Sequence, residues 1–428
     1  MSNVLMISAI VMLVLLFLKV PVYIAVLGGS MVYFVMNPGI NSVVFAQQAI
    51  IGTEKISLMA IPFFICAGIF MNYTGVTKRI MDFCEVVTGR LPGGLAQVNV
   101  LLSTVMGGLS GSNIADAAME SKMMVPEMTK KGFSLEFSSV VTAASSMITP
   151  LIPPGIAMIL YGCIANVSIG KLFISGFGVG GLLCITMMIL VGVISKKRGY
   201  GILSTEKLTW TRFWTALKPA ILPLLLPIII IGGIRIGIFT ATEAGAVAIL
   251  YAAFLGILYH EMHVKDMIQG LKETVASTAS IMLIVSAASV FSWILTKERI
   301  PQTLTAWMLA NIHSKYVFLI VVNIFLLIVG MFIEGNASMI ILVPLLAPIA
   351  AKYGINEIQF AMIYIFNNAI GALSPPMGTL MFVTCSITKC KTAAFIKEAV
   401  PFYILLVVNL LLLTWFEPFT TFLVNLFY

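Results

Sequence analysis

Apolar runs long enough to enter a membrane follow one another along almost the whole chain, parted by short loops that hold most of its lysines and arginines. The first run, residues 4–18, is read as a span that crosses about 30 Å of hydrocarbon with some tilt. Lys19-Val20-Pro21 makes a turn into a second span ending near Met36, and a polar connection then reaches Glu54 and Lys55. The third span, residues 58–72, carries Pro62, which a membrane helix tolerates where neighbours satisfy the freed carbonyl. Over residues 78–90 the pattern changes, with Lys78, Arg79, Asp82 and Glu85 set among Ile80, Met81, Phe83 and Val86. That amphipathic spacing predicts an arm helix lying in the interface.

Residues 96–129 hold enough apolar side chains for one long helix, but their centre does not fit a helix interior. Gly107, Gly108, Ser110, Gly111, Ser112 and Asn113 favour turns and caps instead. Lys78, Arg79 and Arg90 precede the segment and Lys130 and Lys131 follow it, so both ends belong on the cytoplasmic side. The segment therefore enters and returns, as a re-entrant hairpin. Residues 133–165 cross outward through a break at Thr149-Pro150 and Pro153-Pro154-Gly155, and residues 172–194 return to Lys196-Lys197-Arg198. Residues 201–218, with Lys207, Trp210, Arg212 and Trp214, read as a connecting helix on the cytoplasmic surface.

The same order then recurs. Spans at 220–236 and 244–259 bracket the polar loop from Phe239 to Glu243, and a third lies at 275–295. An arm follows at 301–311, a hairpin at 317–350 tipped by Glu334-Gly335-Asn336, a broken span at 360–387 and a last span at 402–415. Asn113 and Asn336 are 223 positions apart, while Pro153 and Pro375, and Cys163 and Cys385, are each 222 apart. The pattern predicts an all-α polytopic membrane protein of two repeats, residues 1–200 and 219–428, each with five spans and one hairpin. An odd number of crossings inverts the second repeat and puts both termini outside. The resulting topology leaves 17 of the 25 Lys and Arg residues inside and 6 outside, with Lys122 and Arg235 within a hairpin or span.

Composition narrows the class further. Hydrophobic residues make up 60% of the chain and charged residues 10%, far from the quarter typical of soluble domains. The net charge of +8 then reports cytoplasmic loops and not a nucleic-acid partner; the membrane lipid is the surroundings to expect. Cys66, Cys84, Cys163, Cys184, Cys385 and Cys390 show no CxxC spacing, and His260, His263 and His313 form no ligand set. A phosphate-binding GxxxxGK[ST] loop is missing, as is any nucleophile–base pair at depth, which argues against an ATP-driven pump and an intramembrane enzyme. Hairpins plugged at the midplane from opposite sides suit alternating access better than a channel.

The chemistry follows from what lipid forbids. Irregular backbone at membrane depth survives only where other groups satisfy it, and a cation does this well. Ser110, Ser112, Asn113, Ser145 and Thr149, with Ser146 beside them, supply oxygens for one sodium site. Gly335, Asn336, Asn368, Gly371 and Thr379 supply a second, with Ser338, Asn367 and Ser374 nearby. Helix N-termini at the same breaks would hold a substrate carboxylate near Ser112, Asn113, Pro154, Gly155, Asn336, Ser338, Pro376 and Gly378. Sodium is the only metal expected, and no cofactor. Asp116 and Glu334 stand out because a carboxylate at depth is costly and seldom idle; Asp116 has a cap or a pairing with Lys122 as its simpler explanation.

Three motifs carry a resemblance. Leu58-Met-Ala-Ile-Pro-Phe-Phe-Ile-Cys-Ala-Gly68, the stretch from Gly108 to Ala118 with Val125-Pro-Glu-Met128, and Gly237-Ile-Phe-Thr-Ala-Thr-Glu-Ala-Gly245 resemble the large membrane subunit of TRAP transporters, the tripartite ATP-independent periplasmic transporters, in their dicarboxylate-transporter-like branch. The likeness covers nearly the whole chain; Ala241 stands where the family pattern usually has proline. It implies a sodium-coupled elevator that takes up an organic acid, such as a C4-dicarboxylate or a sialic acid, across a bacterial or archaeal inner membrane. It also implies two partners, a periplasmic substrate-binding protein and a small four-helix membrane subunit. Because Met1 leads almost directly into the first span, that subunit is expected as a separate chain. The competing reading is a stand-alone sodium/organic-anion symporter of similar elevator fold.

Overall fold

The computed structural model describes residues 3–18, 20–203 and 209–428, so Lys19 and Lys207 of the sequence reading lie outside the described residues. Among the described residues the chain is all helix, loop and turn, with no strand. The first half runs α1 (Asn3–Phe17), α2 (Val22–Met36), α3 (Val43–Ile51), α4 (Ala60–Asn72) and the arm α5 (Val76–Thr88). Next come a hairpin of α6 (Gly94–Ser110) and α7 (Asn113–Lys130), a broken pair α8 (Leu135–Ser145) and α9 (Ile156–Ala165), and α10 (Ile169–Arg198). The second half runs α11 (Trp210–Arg235), α12 (Ala241–Leu258), α13 (Val264–Lys297) and the arm α14 (Ile300–Asn311). A hairpin of α15 (Lys315–Phe332) and α16 (Gly335–Lys352), a broken pair α17 (Glu357–Leu373) and α18 (Thr379–Thr388), α19 (Thr392–Trp415) and α20 (Pro418–Phe427) complete it. Both double prolines, Pro153-Pro154 and Pro375-Pro376, contain a cis peptide bond.

Seven helices among the described residues are long and apolar enough to cross a membrane, and two bent pairs bring the number to nine. Length and apolarity alone do not separate spans from hairpin legs. Two of the seven, α15 and α16, are the legs of the second hairpin, each 18 residues and about 27 Å long. Conversely, α1 and α2 have 15 residues apiece, about 22 Å, and fall short of a full crossing without their flanks.

Three local outcomes differ from the expectations. The connecting helix at 201–218 is not a separate element: α11 starts at Trp210, capped by the Thr209 side chain, and continues unbroken to Arg235 through Pro219, Pro223 and Pro227. Pro223 removes the N–H that would reach the Pro219 carbonyl, and the Tyr259 hydroxyl donates to that carbonyl at 3.2 Å instead. Pro62 lies in the first turn of α4, which continues directly from the helical turn Ile56–Met59, so the proline falls near the start of this stretch and not in its middle. Past the last expected span, α20 packs along α10, and the Ser175 hydroxyl donates to the Thr420 carbonyl at 2.6 Å. Arg235 donates to the Phe427 carbonyl at 2.9 Å, which holds this terminal helix to the end of α11.

The halves are interleaved where they meet. The returning leg of the first hairpin, α7, packs on α18 of the second half, and the returning leg of the second, α16, packs on α9 of the first. This exchange brings four breaks, far apart in sequence, to one place.

Candidate anion and cation site between the hairpin tips

The first tip is made by Gly111 and Ser112. Gly111 closes α6 with φ +63°, a conformation that costs a side-chain-bearing residue more than glycine. Ser112 is extended and caps α7, its hydroxyl accepting from the Ala115 N–H at 3.4 Å. The second tip is made by Ile333 and Glu334. There the Glu334 carboxylate caps α16 by accepting from the Ala337 N–H at 3.1 Å. Glu334, singled out by its depth, is thus the N-cap of the returning leg, placed where a negative charge meets the positive end of a helix.

Between the tips is a cavity of about 230 Å³. Its wall includes Ser110, Gly111, Ser112 and Asn113 from the first tip, Glu334, Gly335 and Asn336 from the second, and Asn368 and Thr379 from the second broken pair. Four helices begin on this wall, α7 at Asn113, α9 at Ile156, α16 at Gly335 and α18 at Thr379. Ser112 and Glu334 cap α7 and α16, while α9 and α18 start without a side-chain cap and turn the partial positive charge of their N-termini to a lining that holds no lysine or arginine and one carboxylate, Glu334. α4 and α13 add Gly68, Ile69, Asn72, Ser277 and Ile281, and apolar residues of α9, α16 and α17 also line the wall. The space therefore sits at the seam between the hairpin-bearing helices and α4 and α13. That seam is tight: a Cβ on Gly68 would lie 2.8 Å from the Ser110 carbonyl oxygen.

Several expected residues support this wall from behind. Ser338 is fully buried, with its hydroxyl 3.1 Å from the Tyr364 hydroxyl and donating to Asn368 Oδ1 at 3.3 Å. Asn368 Nδ2 in turn donates to the Gly335 carbonyl at 3.1 Å, so one amide fixes the tip of α16. Gly371 faces α15, where a Cβ would lie 2.6 Å from the Gly330 backbone, so its role is close helix approach. Pro154, Gly155 and Gly378 are buried in the two breaks, and Pro376 is exposed. None of these four reaches the cavity lining.

In the first half, Thr149 donates its hydroxyl to Asp116 Oδ2 at 2.7 Å. Asp116 is therefore held by a neighbouring break and not by Lys122, whose side chain is exposed. Ser145 lies deeper, its hydroxyl 2.8 Å from that of Ser103 and 3.1 Å from the Thr142 carbonyl. Of the first proposed oxygen cluster, Ser110, Ser112 and Asn113 share the cavity, while Ser145 and Thr149 line the polar layer beneath it.

The sequence reading passed over Tyr364, Asn72 and Ser277, and also Glu120, a fully buried acid one turn after Asp116. The rule that flagged Asp116 applies equally to Glu120, since an ionisable residue in a membrane segment is a functional candidate. Nothing in the local pattern marks Tyr364, whose role comes from the packing of α16 on α17.

The fold is shared with a solved transporter. The YdaH transporter of Alcanivorax borkumensis matches with a TM-score of 0.55 over 85% of this chain and 86% of that one, at 15% identity. Among curated proteins, the sialic acid TRAP transporter large permease protein SiaM of Vibrio cholerae is 37% identical over 96% of each chain. The C4-dicarboxylate TRAP transporter large permease protein DctM of Pseudomonas aeruginosa is 34% identical over 85% of each. The sialic acid TRAP transporter permease protein SiaT of Haemophilus influenzae is 34% identical, and this chain spans 68% of its length. The model of the DctM component of the tripartite ATP-independent periplasmic transporters matches residues 9–419. The multi-pass helical architecture, the cavity at the hairpin tips and this match together show that the chain belongs to the TRAP transporter family as a large permease subunit, and is not an enzyme.

Proposed function

We propose that the chain carries an organic acid anion inward, coupled to sodium, in an elevator cycle. The observation that carries the reading is the convergence of four helix N-termini and two oxygen-rich tips on one cavity at a seam. The N-termini favour a carboxylate, and the hydroxyl, amide and carbonyl oxygens of Ser110, Ser112, Asn113, Asn336, Asn368 and Thr379 suit sodium. Bringing both charges together in one low-dielectric space makes each bind better in the presence of the other, which is the essence of coupling. C4-dicarboxylates and sialic acids, named for the relatives, are the substrate classes to test first.

In this reading the two halves are inverted repeats. The hairpins and broken pairs form the moving block, the arms α5 and α14 are its tethers, and α4 and α13 belong to the fixed side. Both termini are placed on the periplasmic face. The family works with a periplasmic binding protein and a small membrane subunit; for this chain we propose both as partners, the small subunit as a separate polypeptide. The test is uptake into proteoliposomes under an inward sodium gradient, with each partner left out in turn. Uptake should require sodium, the small subunit and the loaded binding protein together. Saturable sodium-driven uptake by this chain alone would favour the stand-alone symporter, and uptake indifferent to sodium would remove the coupling.

A further inference from the structure

The first hairpin encloses a carboxylate that the cavity does not use. Glu120, on the leg α7, is 0% exposed. One of its oxygens, Oε2, accepts from the Ser103 hydroxyl at 2.6 Å, while the other, Oε1, is buried without a hydrogen-bond partner. One turn before Ser103 on α6, Asn99 donates its amide to Thr142 at 2.6 Å, but its carbonyl Oδ1 is also buried without a partner. The interior of the hairpin thus holds two unpaired acceptors, one of them on a formally negative group.

No cation answers that charge from the elements around it. Against α7 pack α6, α8, α18 and the short turn Thr149–Leu151. Their titratable or charged groups are only Glu136 on α8 and Cys385 on α18; α6 and the turn have none. Cys84 of α5 and Asp116 on α7 itself are the other neighbouring groups, and Lys122 of α7 is exposed. A bare carboxylate so enclosed is strongly unfavourable, as any buried unpaired ion is. A bound positive charge removes that penalty and satisfies the unpaired Glu120 oxygen.

We propose that Glu120, with Ser103 beside it, is a monovalent-cation site in the body of the first hairpin, separate from the cavity, which carries one positive charge with each transport cycle. The occupant is a sodium ion or a proton. The counterpart of Glu120 in the second half, 222 positions on, is Leu342, so only the first hairpin carries this charge. The proposal rests on the transport reading above but not on its sodium dependence, because it concerns the charge moved per substrate.

The test uses the chain with its partners in proteoliposomes, wild type against Glu120→Gln, which keeps shape and hydrogen-bonding capacity. The voltage at which uptake reverses gives the net charge moved per substrate, and Glu120→Gln should move one fewer positive charge. If sodium is the occupant, the ²²Na to substrate ratio falls by one; if a proton, an internal pH dye loses its uptake-linked signal while the sodium ratio stays. Unchanged reversal voltage, sodium ratio and dye signal in a variant that transports would overturn the site. If Glu120→Gln does not transport or fold, Ser103→Ala decides: the sodium or pH midpoint of the thermal shift of the purified protein should move several-fold, and an unmoved midpoint for both rejects the proposal. Sodium-indifferent uptake with a one-charge loss in Glu120→Gln would defeat sodium coupling yet uphold the site with a proton.

Discussion

The two hairpin tips reach the same cavity by different chemistry. The second is built on Asn368, which bridges the Gly335 carbonyl and Ser338, with Tyr364 behind them and the Glu334 carboxylate as a cap. The first rests on a glycine turn, a serine cap and a layer containing two buried acids, Asp116 and Glu120. At a separation of 222, Asp116 corresponds to Ser338 and Glu120 to Leu342. The acids are therefore placed differently, with Glu334 on the cavity wall at the second tip and Asp116 and Glu120 buried behind the first.

Four variants test that contrast, taken from the largest expected effect. Gly68→Ala puts a methyl against the Ser110 carbonyl across the seam, and it should lower the melting temperature and cut initial uptake in proteoliposomes by at least tenfold (about 1.4 kcal/mol). Unaltered uptake would mean that the seam is not a moving surface. Asn368→Leu strips both partners from the second tip, leaving the buried Ser338 hydroxyl and the Gly335 carbonyl short of bonds, at a cost of about 1–3 kcal/mol. Both stability and substrate affinity should fall, read by thermal unfolding and by the half-saturating concentration.

Ser112→Ala with Asn113→Ala removes cap and cavity oxygens from the first tip, costing about 1 kcal/mol through the cap. Its distinguishing effect is on ligand linkage: the extra thermal stability given by sodium over potassium should shrink well below wild type. A full sodium shift in this variant, together with one in Asn336→Ala, would move the ions elsewhere. The smallest effect is expected from Glu334→Gln, since an amide oxygen still caps α16. Its uptake and melting temperature should lie close to wild type, whereas Glu334→Ala should lose about 1 kcal/mol. A Glu334→Gln variant as damaged as Glu334→Ala would show that the charge, and not the cap, matters.

Much of this was legible from composition and spacing because lipid leaves few options. Glycine, serine and asparagine in the middle of an apolar run, with basic residues on both flanks, mark hairpin tips such as Ser112-Asn113 and Gly335-Asn336, and the structure puts both at helix starts on one cavity. The same logic failed where chain connectivity was the only guide. Trp210–Arg235 is one helix because Tyr259, on a different segment, serves the carbonyl that Pro223 frees. Ser145 and Thr149 looked equivalent to Ser110, yet their hydroxyls are spent on Ser103, Thr142 and Asp116 below the cavity.

By itself the sequence determined an all-helical membrane protein, the places where its helices had to break, and the oxygen-rich residues at those breaks. Those properties follow from apolar run length, helix propensity and the cost of unpaired backbone in lipid, all of which act locally. Only the tertiary structure decided which breaks meet. The crossing of α7 onto α18 and of α16 onto α9 gathers four helix N-termini from both halves around one space, and it encloses Glu120 among α6, α8 and α18, which carry no lysine or arginine. Side chains more than 200 positions apart become neighbours through packing, and no local pattern encodes that.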